Sequence, residues 1–341
     1  MALRVDVRVP ACRPIPEVVD FVRQCDEAGL DGVGLLDSQL IVRDVYATMA
    51  VLARETSRIK LTASVTNPVT RHPSVLASAM ATVAELAPGR VEFVLGSGYS
   101  AVRTIGVPVA TSAQMRETVL TIRRLLRGEM VQFDGARSHL SFAPSFPVPV
   151  WVSATSPRMI RVAAEVADGV LLHTGMSPGI LATARRYIEE GARLANRNPD
   201  DVRVAVCLRI AVATDAKTAL EEGRSVFASW VLEKHRARWL KASGIPVPEY
   251  DELPAEVRAV YPDLTHPEDP VAASKATSFL SDDLIRSVSD VLGMVGPADV
   301  LFQRLRDAEK WGVNHVYLMP AATYEFPHEV VNAFKRRGKT K

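Results

Sequence analysis

The sequence contains few of the residues that mark disulfide-linked, zinc-binding or membrane proteins. Its three cysteines, Cys12, Cys25 and Cys207, are scattered and odd in number. They therefore predict neither a disulfide framework nor a zinc site, and they fit a reduced, cytoplasmic protein. Every apolar run ends well before the roughly 18 residues that a membrane-spanning helix needs. The first ten residues have no apolar stretch of the kind found in signal peptides, so we expect none.

The sequence also lacks an excess of charge and the common catalytic motifs. Its net charge of +2 gives no reason to expect a nucleic-acid or membrane-surface partner. No two histidines have the His-x-x-x-His spacing, and the one Glu-x-x-His, Glu325 to His328, has Pro327 inside it, so we expect no metal site. A Walker loop, a G-x-S-x-G elbow and a G-x-G-x-x-G fingerprint after the first strand are all absent.

Apolar runs alternate with amphipathic helical patterns along most of the chain. Eight strand patterns, the first at Leu3–Val9 and the last at Val313–Met319, are each followed by a helical pattern. This predicts an α/β protein with a (β/α)8, or TIM, barrel. A doubly wound sheet is the competing fold, and the missing glycine fingerprint disfavours it. Residues 225–290 lose the alternation, and we interpret them as a helical insertion within a single domain of residues 1–341.

Two loops at predicted strand ends are the centre of the predicted site. Leu61–Pro73 begins in the predicted strand Arg58–Ser64 and continues beyond it, and Gly96–Ser100 follows the predicted strand Arg90–Leu95. Ligands bind at the carboxyl ends of parallel strands, so we expect these loops to lie side by side. The glycines of Gly96-Ser97-Gly98 would let a ligand approach the backbone, although a tight turn explains them equally well.

Two further loops have the composition of anion-binding helix starts. Ala154-Thr155-Ser156 precedes Pro157, and His173-Thr174-Gly175-Met176 closes the sixth predicted strand. Both offer hydroxyls and backbone N–H groups where a helix dipole favours a phosphate. An ordinary N-cap is the simpler interpretation of the first loop. Because barrels commonly hold a phosphate on neighbouring late strands, the loops together indicate a phosphate-bearing ligand.

Two single residues stand out near these loops. Asp37 ends an otherwise apolar strand, so its carboxylate must be paired or hydrogen-bonded, and a functional and a structural role are equally supported. His72 lies between Arg71 and Pro73, where it would be catalytic or, as we favour, would cap or pack against the following helix.

Several short runs identify a family. They are Val65-Thr66-Asn67-Pro68, Thr70-Arg71-His72-Pro73, Leu86-Ala87-Pro88-Gly89-Arg90 and Leu95-Gly96-Ser97-Gly98. In these runs the chain resembles the bacterial-luciferase-like family of flavin- and deazaflavin-dependent oxidoreductases. Within that family it is most similar to the methylenetetrahydromethanopterin reductases, which use coenzyme F420. The resemblance covers most of residues 1–215 and 290–341.

The resemblance implies a cofactor, coenzyme F420 or alternatively FMN, across the carboxyl face of the barrel. A bulge at the end of the third strand would carry a non-prolyl cis peptide, here Ser64–Val65, behind the central ring. The phosphate would lie near the three glycine- and hydroxyl-rich loops. The implied cofactor-binding residues are Asp37, Ser64, Val65, Thr66, Asn67, Gly96, Ser97, Gly98, Ala154, Thr155, Ser156, His173, Thr174, Gly175 and Met176. A homodimer or larger homo-oligomer is also implied.

Three positions depart from the pattern of the F420 enzymes and form the predicted substrate pocket. Arg8 stands where the methanopterin reductases have a glutamate, Ser38 where many deazaflavin enzymes have a histidine, and Tyr99 where the reductases continue with a glycine–acid pair. These departures disfavour methylenetetrahydromethanopterin as the substrate. Arg8 would pair with an anionic substrate or, with equal support, form a salt bridge with Asp6 or Asp37.

The leading hypothesis is therefore an F420-dependent oxidoreductase. It would transfer a hydride, in either direction, between the deazaflavin C5 and an unsaturated carbon (C=C, C=N or C=O) of a small organic substrate. The sequence identifies no general acid or base. An FMN-dependent monooxygenase supplied by a partner flavin reductase is the alternative. A barrel without catalysis that serves as a binding protein is the third, and the intact Asn67, Gly96 and Gly98 disfavour it.

Overall fold

The strands of the computed structural model, which describes residues 2–338, follow the predicted order. They are β1 (Arg4–Val9), β2 (Gly32–Leu35), β3 (Lys60–Thr66), β4 (Val91–Leu95), β5 (Val131–Phe133), β6 (Ala136–Ser138), β7 (Val150–Ala154), β8 (Gly169–Leu172), β9 (Arg203–Val212), β10 (Gly293–Gly296) and β11 (His315–Pro320). The single domain of residues 1–341 stays a prediction, and Met1 and residues 339–341 lie outside the described residues.

Helices follow most of the barrel strands. They are α1 (Ile15–Glu27), α2 (Val45–Glu55), α3 (Pro73–Leu86), α4 (Tyr99–Arg103), α5 (Ser112–Leu126), α6 (Pro157–Val166), α7 (Pro178–Leu194), α8 (Ala216–Leu232), α9 (Lys234–Ala242), α10 (Ala255–Arg258), α11 (Pro270–Ala276), α12 (Asp282–Leu292), α13 (Ala298–Lys310) and α14 (His328–Gly338). Among the described residues, none of these helices is long and apolar enough to cross a membrane.

The strands confirm the predicted (β/α)8 barrel. The main sheet has the order β10-β9-β11-β1-β2-β3-β4-β7-β8, and a further pairing of β8 with β9 closes it. Eight of its strands form the barrel, and the ninth, β10, is added along the carboxyl-terminal half of β9. Each barrel strand is buried along most of its length, as expected where helices cover a parallel sheet. Outside the barrel, β5 and β6 form a separate two-stranded antiparallel sheet.

The contacts divide the chain into two compact units, which we describe separately. The amino-terminal unit comprises residues 8–171 and 186–204, and the carboxyl-terminal unit comprises residues 1–7, 172–185 and 205–341.

Side-chain caps fix the helix starts in the amino-terminal unit. Asp44 accepts a hydrogen bond from the N–H of Ala47 at the start of α2, and Thr111 and Gln114 form a reciprocal capping box at the start of α5. His72 caps α3 by accepting from the N–H of Ser74, which confirms the capping role favoured for it from the sequence. These caps determine where each loop between strand and helix ends.

In the carboxyl-terminal unit, residues 225–290 are mainly helical. They contain the second half of α8, all of α9, α10 and α11, and most of α12. Arg224 of α8 is buried, donates to the carbonyl oxygen of Leu280 at 2.9 Å and pairs with Asp282. The buried guanidinium thus ties α8 to the start of α12. That these residues are an insertion within a single domain stays a prediction.

Three local features differ from the sequence expectation. The helix α4 and the strand β10 were not predicted, since elements of five and four residues are too short to show a period. The strand β3 reaches Thr66, two residues beyond the predicted end at Ser64, because a bulge shifts its register against β4 between Ser64 and Thr66.

Two glycines of α7 give a matched test of helix packing. A Cβ at Gly191 would lie 2.2 Å from the carbonyl oxygen of Arg161 in α6, whereas a Cβ at Gly179 would meet nothing within 4 Å. We expect Gly191→Ala to lower the free energy of unfolding by about 1–3 kcal/mol through overpacking. Gly179→Ala should leave it unchanged or raise it by about 0.5–1 kcal/mol. Urea unfolding measures both, and equal effects of the two substitutions would contradict the packing of α7 on α6.

Candidate active site

The bulge at the end of β3 brings two of the predicted loops together. The Ser64–Val65 peptide bond is cis, as the resemblance implies. Immediately after it, the carbonyl oxygen of Thr66 accepts a hydrogen bond from the N–H of Gly96 at 2.8 Å. A Cβ at Gly96 would lie 2.8 Å from the Val65 side chain, so only glycine fits there without a shift. The loops that follow β3 and β4 therefore lie side by side, as predicted.

Asp37 is the buried charge of this region, with 2% of its surface exposed. Its carboxylate accepts hydrogen bonds from the hydroxyl of Thr66 at 2.8 Å, from the guanidinium of Arg71 at 2.6 Å and from the amide of Gln39 at 2.9 Å. A buried carboxylate is costly unless it is satisfied in this way. These bonds engage both oxygens of the Asp37 carboxylate, and the salt bridge considered between Asp37 and Arg8 stays a prediction.

The hydrogen bonds around Thr66 have a fixed direction. Its hydroxyl must donate to the acceptor-only carboxylate of Asp37, so it accepts from the hydroxyl of Tyr46, 3.1 Å away. Burial raises the pKa of Tyr46 well above its ordinary value, and the Asp37 charge adds to the shift. The Tyr46 hydroxyl therefore stays protonated and donates a hydrogen bond to Thr66. The result is a chain of hydrogen bonds from Tyr46 through Thr66 to Asp37.

Arg71 joins this chain to the start of α2. It bridges the carboxylates of Asp37 and Asp44, at 2.6 Å from each, and lies 5.1 Å from the centre of the Tyr46 ring. Burial alone would lower the pKa of Arg71, but the two carboxylates outweigh it and raise the pKa. The loop after β3 is thereby held against the loop after β2.

Buried donors without an acceptor lie on the same bulge. The Oδ1 atom of Asn67 accepts from the N–H of Val69 and from both the N–H and the hydroxyl of Thr70. Its Nδ2 atom is buried and has no partner among the described residues. The hydroxyl of Ser64, equally buried, also has no partner within residues 2–338. Such groups are rare in native proteins unless a ligand or water satisfies them.

Residues of the loop after β4 complete this part of the site. Gly98 has φ +99°, and a Cβ there would lie 2.9 Å from Val102 and 3.5 Å from the Cβ of Asn67. Ser100, in α4, has its hydroxyl 2.9 Å from the hydroxyl of Ser38, and both serines are buried. The polar ends of β2, β3 and β4 are therefore in contact.

Some hydrogen-bonding groups of the predicted phosphate loops are already bonded to other atoms of the protein. Ser156 caps α6 by accepting from the N–H of Met159, so the N-cap expected from the sequence is formed. In the carboxyl-terminal unit, the N–H of Met176 donates to the carbonyl oxygen of Val291 at 2.8 Å, and the hydroxyl of Thr174 donates to the carbonyl oxygen of Gly175 at 3.2 Å. Their role as phosphate donors stays a prediction, as does that of Ser97, Ala154 and Thr155.

His173, in the carboxyl-terminal unit, is a neutral imidazole. Burial lowers its pKa to about 3, and the positive charges of Arg209 and Arg236 contribute. Its Nε2 atom is buried and has no partner among the residues that the structure describes. The side chain is thus uncharged at neutral pH, and its Nε2 atom is available for a hydrogen bond to a ligand or water.

The remaining predicted pocket residues are Arg8 and Tyr99. Arg8 is the last residue but one of β1 and is buried, with 2% of its surface exposed. Tyr99 begins α4 and is half-buried, and the guanidinium of Arg103 lies 4.1 Å from the centre of its ring. The carboxylate of Asp6, the other partner considered for Arg8, is bonded to Arg4 and His315. Within residues 2–338, no three or more His, Cys, Asp or Glu side chains lie close enough together to hold a metal ion.

The sequence did not indicate three residues of this network. Arg71 belongs to a run that carries the family resemblance, and Ser100 belongs to the loop Gly96–Ser100, but neither is predicted as a site residue. Tyr46 lies in a helical pattern, and only its position soon after the strand that ends at Asp37 could have indicated a role in the site. Each acts through a partner distant in sequence, which no local pattern reveals.

Buried hydrogen-bond donors at the strand ends of a parallel barrel are typical of barrel enzymes, which bind their ligands at that face. Comparison with known proteins gives the family. The sequence profile of the luciferase-like monooxygenase family matches residues 2–315. The chain belongs to this family of oxidoreductases.

Similar proteins have more specific descriptions. The 5,10-methylenetetrahydromethanopterin reductase of Methanolobus tindarius is 32% identical over 65% of this chain and 72% of that protein. The reductase of the same description from Archaeoglobus fulgidus is 28% identical over 88% of each chain. The F420-dependent glucose-6-phosphate dehydrogenase of Kineococcus radiotolerans is 31% identical over 61% of this chain and 67% of that protein. The predicted similarity to F420-dependent reductases is thus confirmed.

Solved structures agree on the fold. The coenzyme F420-dependent tetrahydromethanopterin reductase of Methanopyrus kandleri has a TM-score of 0.78 at 21% identity, with 99% of this chain and 98% of that chain covered. An F420-dependent secondary alcohol dehydrogenase in complex with an F420–acetone adduct has a TM-score of 0.72 at 18% identity and covers 98% of both chains. At these identities the likeness concerns the fold.

Removing Arg71 should expose the cost of the buried Asp37 charge. We expect Arg71→Met to lower the free energy of unfolding by roughly 2–3 kcal/mol, because the carboxylate loses its charged donor. The double variant Asp37→Asn/Arg71→Met should recover part of the loss. Arg13→Met, which removes the exposed pair with Glu17, is the control and should cost no more than about 0.5 kcal/mol. Urea unfolding that gave the same loss for Arg71→Met and Arg13→Met would contradict the network.

His173 should make the protein sensitive to acid. The unfolded chain takes up a proton on this residue below a pH of about 6.5, whereas in the native protein the pKa is about 3. The unfolded state then binds more protons, so stability falls as the pH decreases through this window, by up to about 1.4 kcal/mol per pH unit. We expect His173→Gln to remove this slope. Urea unfolding at a series of pH values would refute the assignment if variant and wild type had the same pH dependence.

Proposed function

We propose that this protein is an F420-dependent oxidoreductase that transfers a hydride between the deazaflavin C5 and an unsaturated carbon of a small organic substrate. Three similar proteins named above are F420-dependent or are reductases of the methanopterin group. Their cofactor use supports the proposal, and the site of the amino-terminal unit supplies a chemical reason for it.

One observation carries the proposal: the site has buried donors in excess over acceptors. The Nδ2 atom of Asn67 and the hydroxyl of Ser64 have no acceptor among the described residues. The carboxylate of Asp37, on the loop that Thr66 joins to the bulge, already accepts three hydrogen bonds. A ligand that satisfies the two donors must therefore bring hydrogen-bond acceptors. The pyrimidinedione edge and the ring system of a deazaflavin have this character, so the residues fit the cofactor.

The chain's own groups would then have distinct tasks. The bulge of β3 would lie behind the ring, Asn67 and Ser64 would bind its acceptor atoms, and the glycines at 96 and 98 would allow its close approach. When bound, the deazaflavin supplies a hydride donor or acceptor that exchanges two electrons at once. The protein would hold the substrate against that carbon and exclude water.

Several features of this proposal rest on the family resemblance alone. The pocket role of Arg8 and Tyr99 is one, and a homodimer or larger assembly is another. The phosphate-binding role of the loops at 96–98, 154–156 and 173–176 rests on their composition as well as on the resemblance, and the cytoplasmic location is expected from the scattered cysteines.

Fluorescence titration with F420 and, separately, with FMN tests the cofactor. We expect tight binding of F420 and weak binding of FMN. Asn67→Asp keeps an oxygen for the N–H groups of Val69 and Thr70 but removes the Nδ2 donor. It should therefore weaken F420 binding by about tenfold or more, the loss of one hydrogen bond.

Asn198→Asp is the matched control, because it makes the same change at an exposed side chain that caps the short helical turn Pro199–Asp201. It should not alter the binding of F420. Preference for FMN, with oxygen consumption when reduced FMN is supplied, would overturn the proposal in favour of a two-component monooxygenase. Binding of neither cofactor would favour a protein without catalysis.

A further inference from the structure

Ser38 and Ser100 form a buried pair of hydroxyls at the strand ends. Ser38 follows Asp37 after β2, and Ser100 lies in α4 after β4. Their oxygens are 2.9 Å apart, and the residues are 4% and 8% exposed. Each hydroxyl carries one hydrogen, and only one of the two hydrogens lies between the oxygens. Within residues 2–338 no other hydrogen-bond partner of either hydroxyl is found, so the second hydrogen has no acceptor.

This spare hydrogen points to a bound molecule. A buried hydroxyl that donates to nothing costs free energy, and a ligand oxygen placed there would remove the cost. The pair is neutral, so it donates a hydrogen bond but does not act as a base at neutral pH. The carboxylate next to it, that of Asp37, is already fully engaged with Thr66, Arg71 and Gln39.

We propose that the Ser38–Ser100 pair binds the carbonyl oxygen of an α,β-unsaturated ketone or aldehyde, and that the site reduces such electron-poor double bonds. This inference rests on the proposed function and adds to it the substrate class and the direction. Oxidation of an alcohol needs a base that takes the hydroxyl proton, and the neutral hydroxyl pair of Ser38 and Ser100 is not one. Reduction of a conjugated carbonyl needs a donor aimed at the oxygen, where negative charge develops.

A hydride and a proton would add to the enone. The hydride forms a C–H bond at the β-carbon with its two electrons. The electron pair of the C=C bond then forms a double bond between the α-carbon and the carbonyl carbon, and the pair of the C=O bond moves to the oxygen. The oxygen takes the spare proton of the hydroxyl pair, which regains a proton from water, and the enol becomes the saturated ketone in water. The enone gains one hydride and one proton. F420H2 would supply the hydride and release one proton to water, which balances the proton that the hydroxyl pair takes from water.

The variants Ser38→Ala, Ser100→Ala and the double variant test the pair, with 2-cyclohexen-1-one as the probe. Ser289→Ala is the matched control, because that buried serine donates only to the carbonyl oxygen of Arg286 in its own helix. Single-turnover mixing of F420H2-loaded protein with the probe should give a rate that falls by roughly 10²-fold in the double variant, which has lost both hydroxyls. Each single variant keeps one hydroxyl hydrogen that is free to donate, so its rate should fall by less than that of the double variant. Ser289→Ala should keep the wild-type rate.

A second measurement reports the hydrogen bond without turnover. The infrared C=O stretch of ¹³C-labelled cyclohexenone, bound together with oxidised F420, should lie at lower frequency in wild type than in the double variant. Ser100→Thr, which keeps the hydroxyl, should retain the wild-type frequency. A purely structural role of the pair would leave this frequency unchanged.

The outcomes separate this inference from the proposed function. F420 titration is made first on every variant, and lack of binding by wild type would refute the proposed function. Normal F420 binding without reduction of cyclohexenone, or with oxidation of 2-propanol in its place, would overturn the substrate class alone. Reduction of the enone at undiminished rate by the double variant, or an unshifted C=O stretch, would overturn the role of the serines.

Discussion

The structure of the site depends on keeping one buried carboxylate satisfied. The charge of Asp37 lies where water does not reach it, and its burial would cost several kcal/mol without donors. Its three donors come from the loop after β2, the bulge of β3 and the loop before α3. The carboxylate therefore fixes the relative positions of these three segments. Tyr46 and Asp44 strengthen the arrangement from α2, through Thr66 and Arg71 respectively.

This arrangement leaves hydrogen-bond donors, and no free carboxylate, for a ligand. The acceptor side of Asn67 is consumed by its own loop, while its amide hydrogens remain available. The hydroxyls of Ser64 and of the Ser38–Ser100 pair add further donors from neighbouring strand ends. A site of this kind stabilises negative charge that develops on a ligand and is unsuited to removing protons. Its chemistry therefore favours a carbonyl-rich ring as cofactor and an electron-poor substrate that accepts hydride.

Much of this could be predicted from the sequence, for identifiable physical reasons. The alternation of buried strands with amphipathic helices determines a barrel, and strand ends in a barrel share one face. The loops after β3 and β4 could therefore be paired from the sequence, and the family resemblance placed the cis peptide at Ser64–Val65. The need of Asp37 for a partner followed from its burial among apolar residues.

The identity of the partners could not be predicted, because it depends on how the loops fold back. Thr66 and Arg71 are 29 and 34 residues from Asp37, and Ser38 and Ser100 are 62 residues apart. Nothing in the local pattern joins them. Nor could the sequence show that the N–H of Met176 donates to the carbonyl oxygen of Val291. The short elements α4 and β10 were not predicted either, since five and four residues give little periodicity and neither belongs to the regular strand–helix alternation.

A crystal structure of the protein with oxidised F420 would test the central claim most directly. The account predicts that Nδ2 of Asn67 and the hydroxyl of Ser64, both without a partner among the described residues, lie within hydrogen-bonding distance of acceptor atoms on the deazaflavin ring. The ring should lie against the Ser64–Val65 peptide. A ring bound elsewhere on the barrel, with both donors bonded only to water, would contradict it.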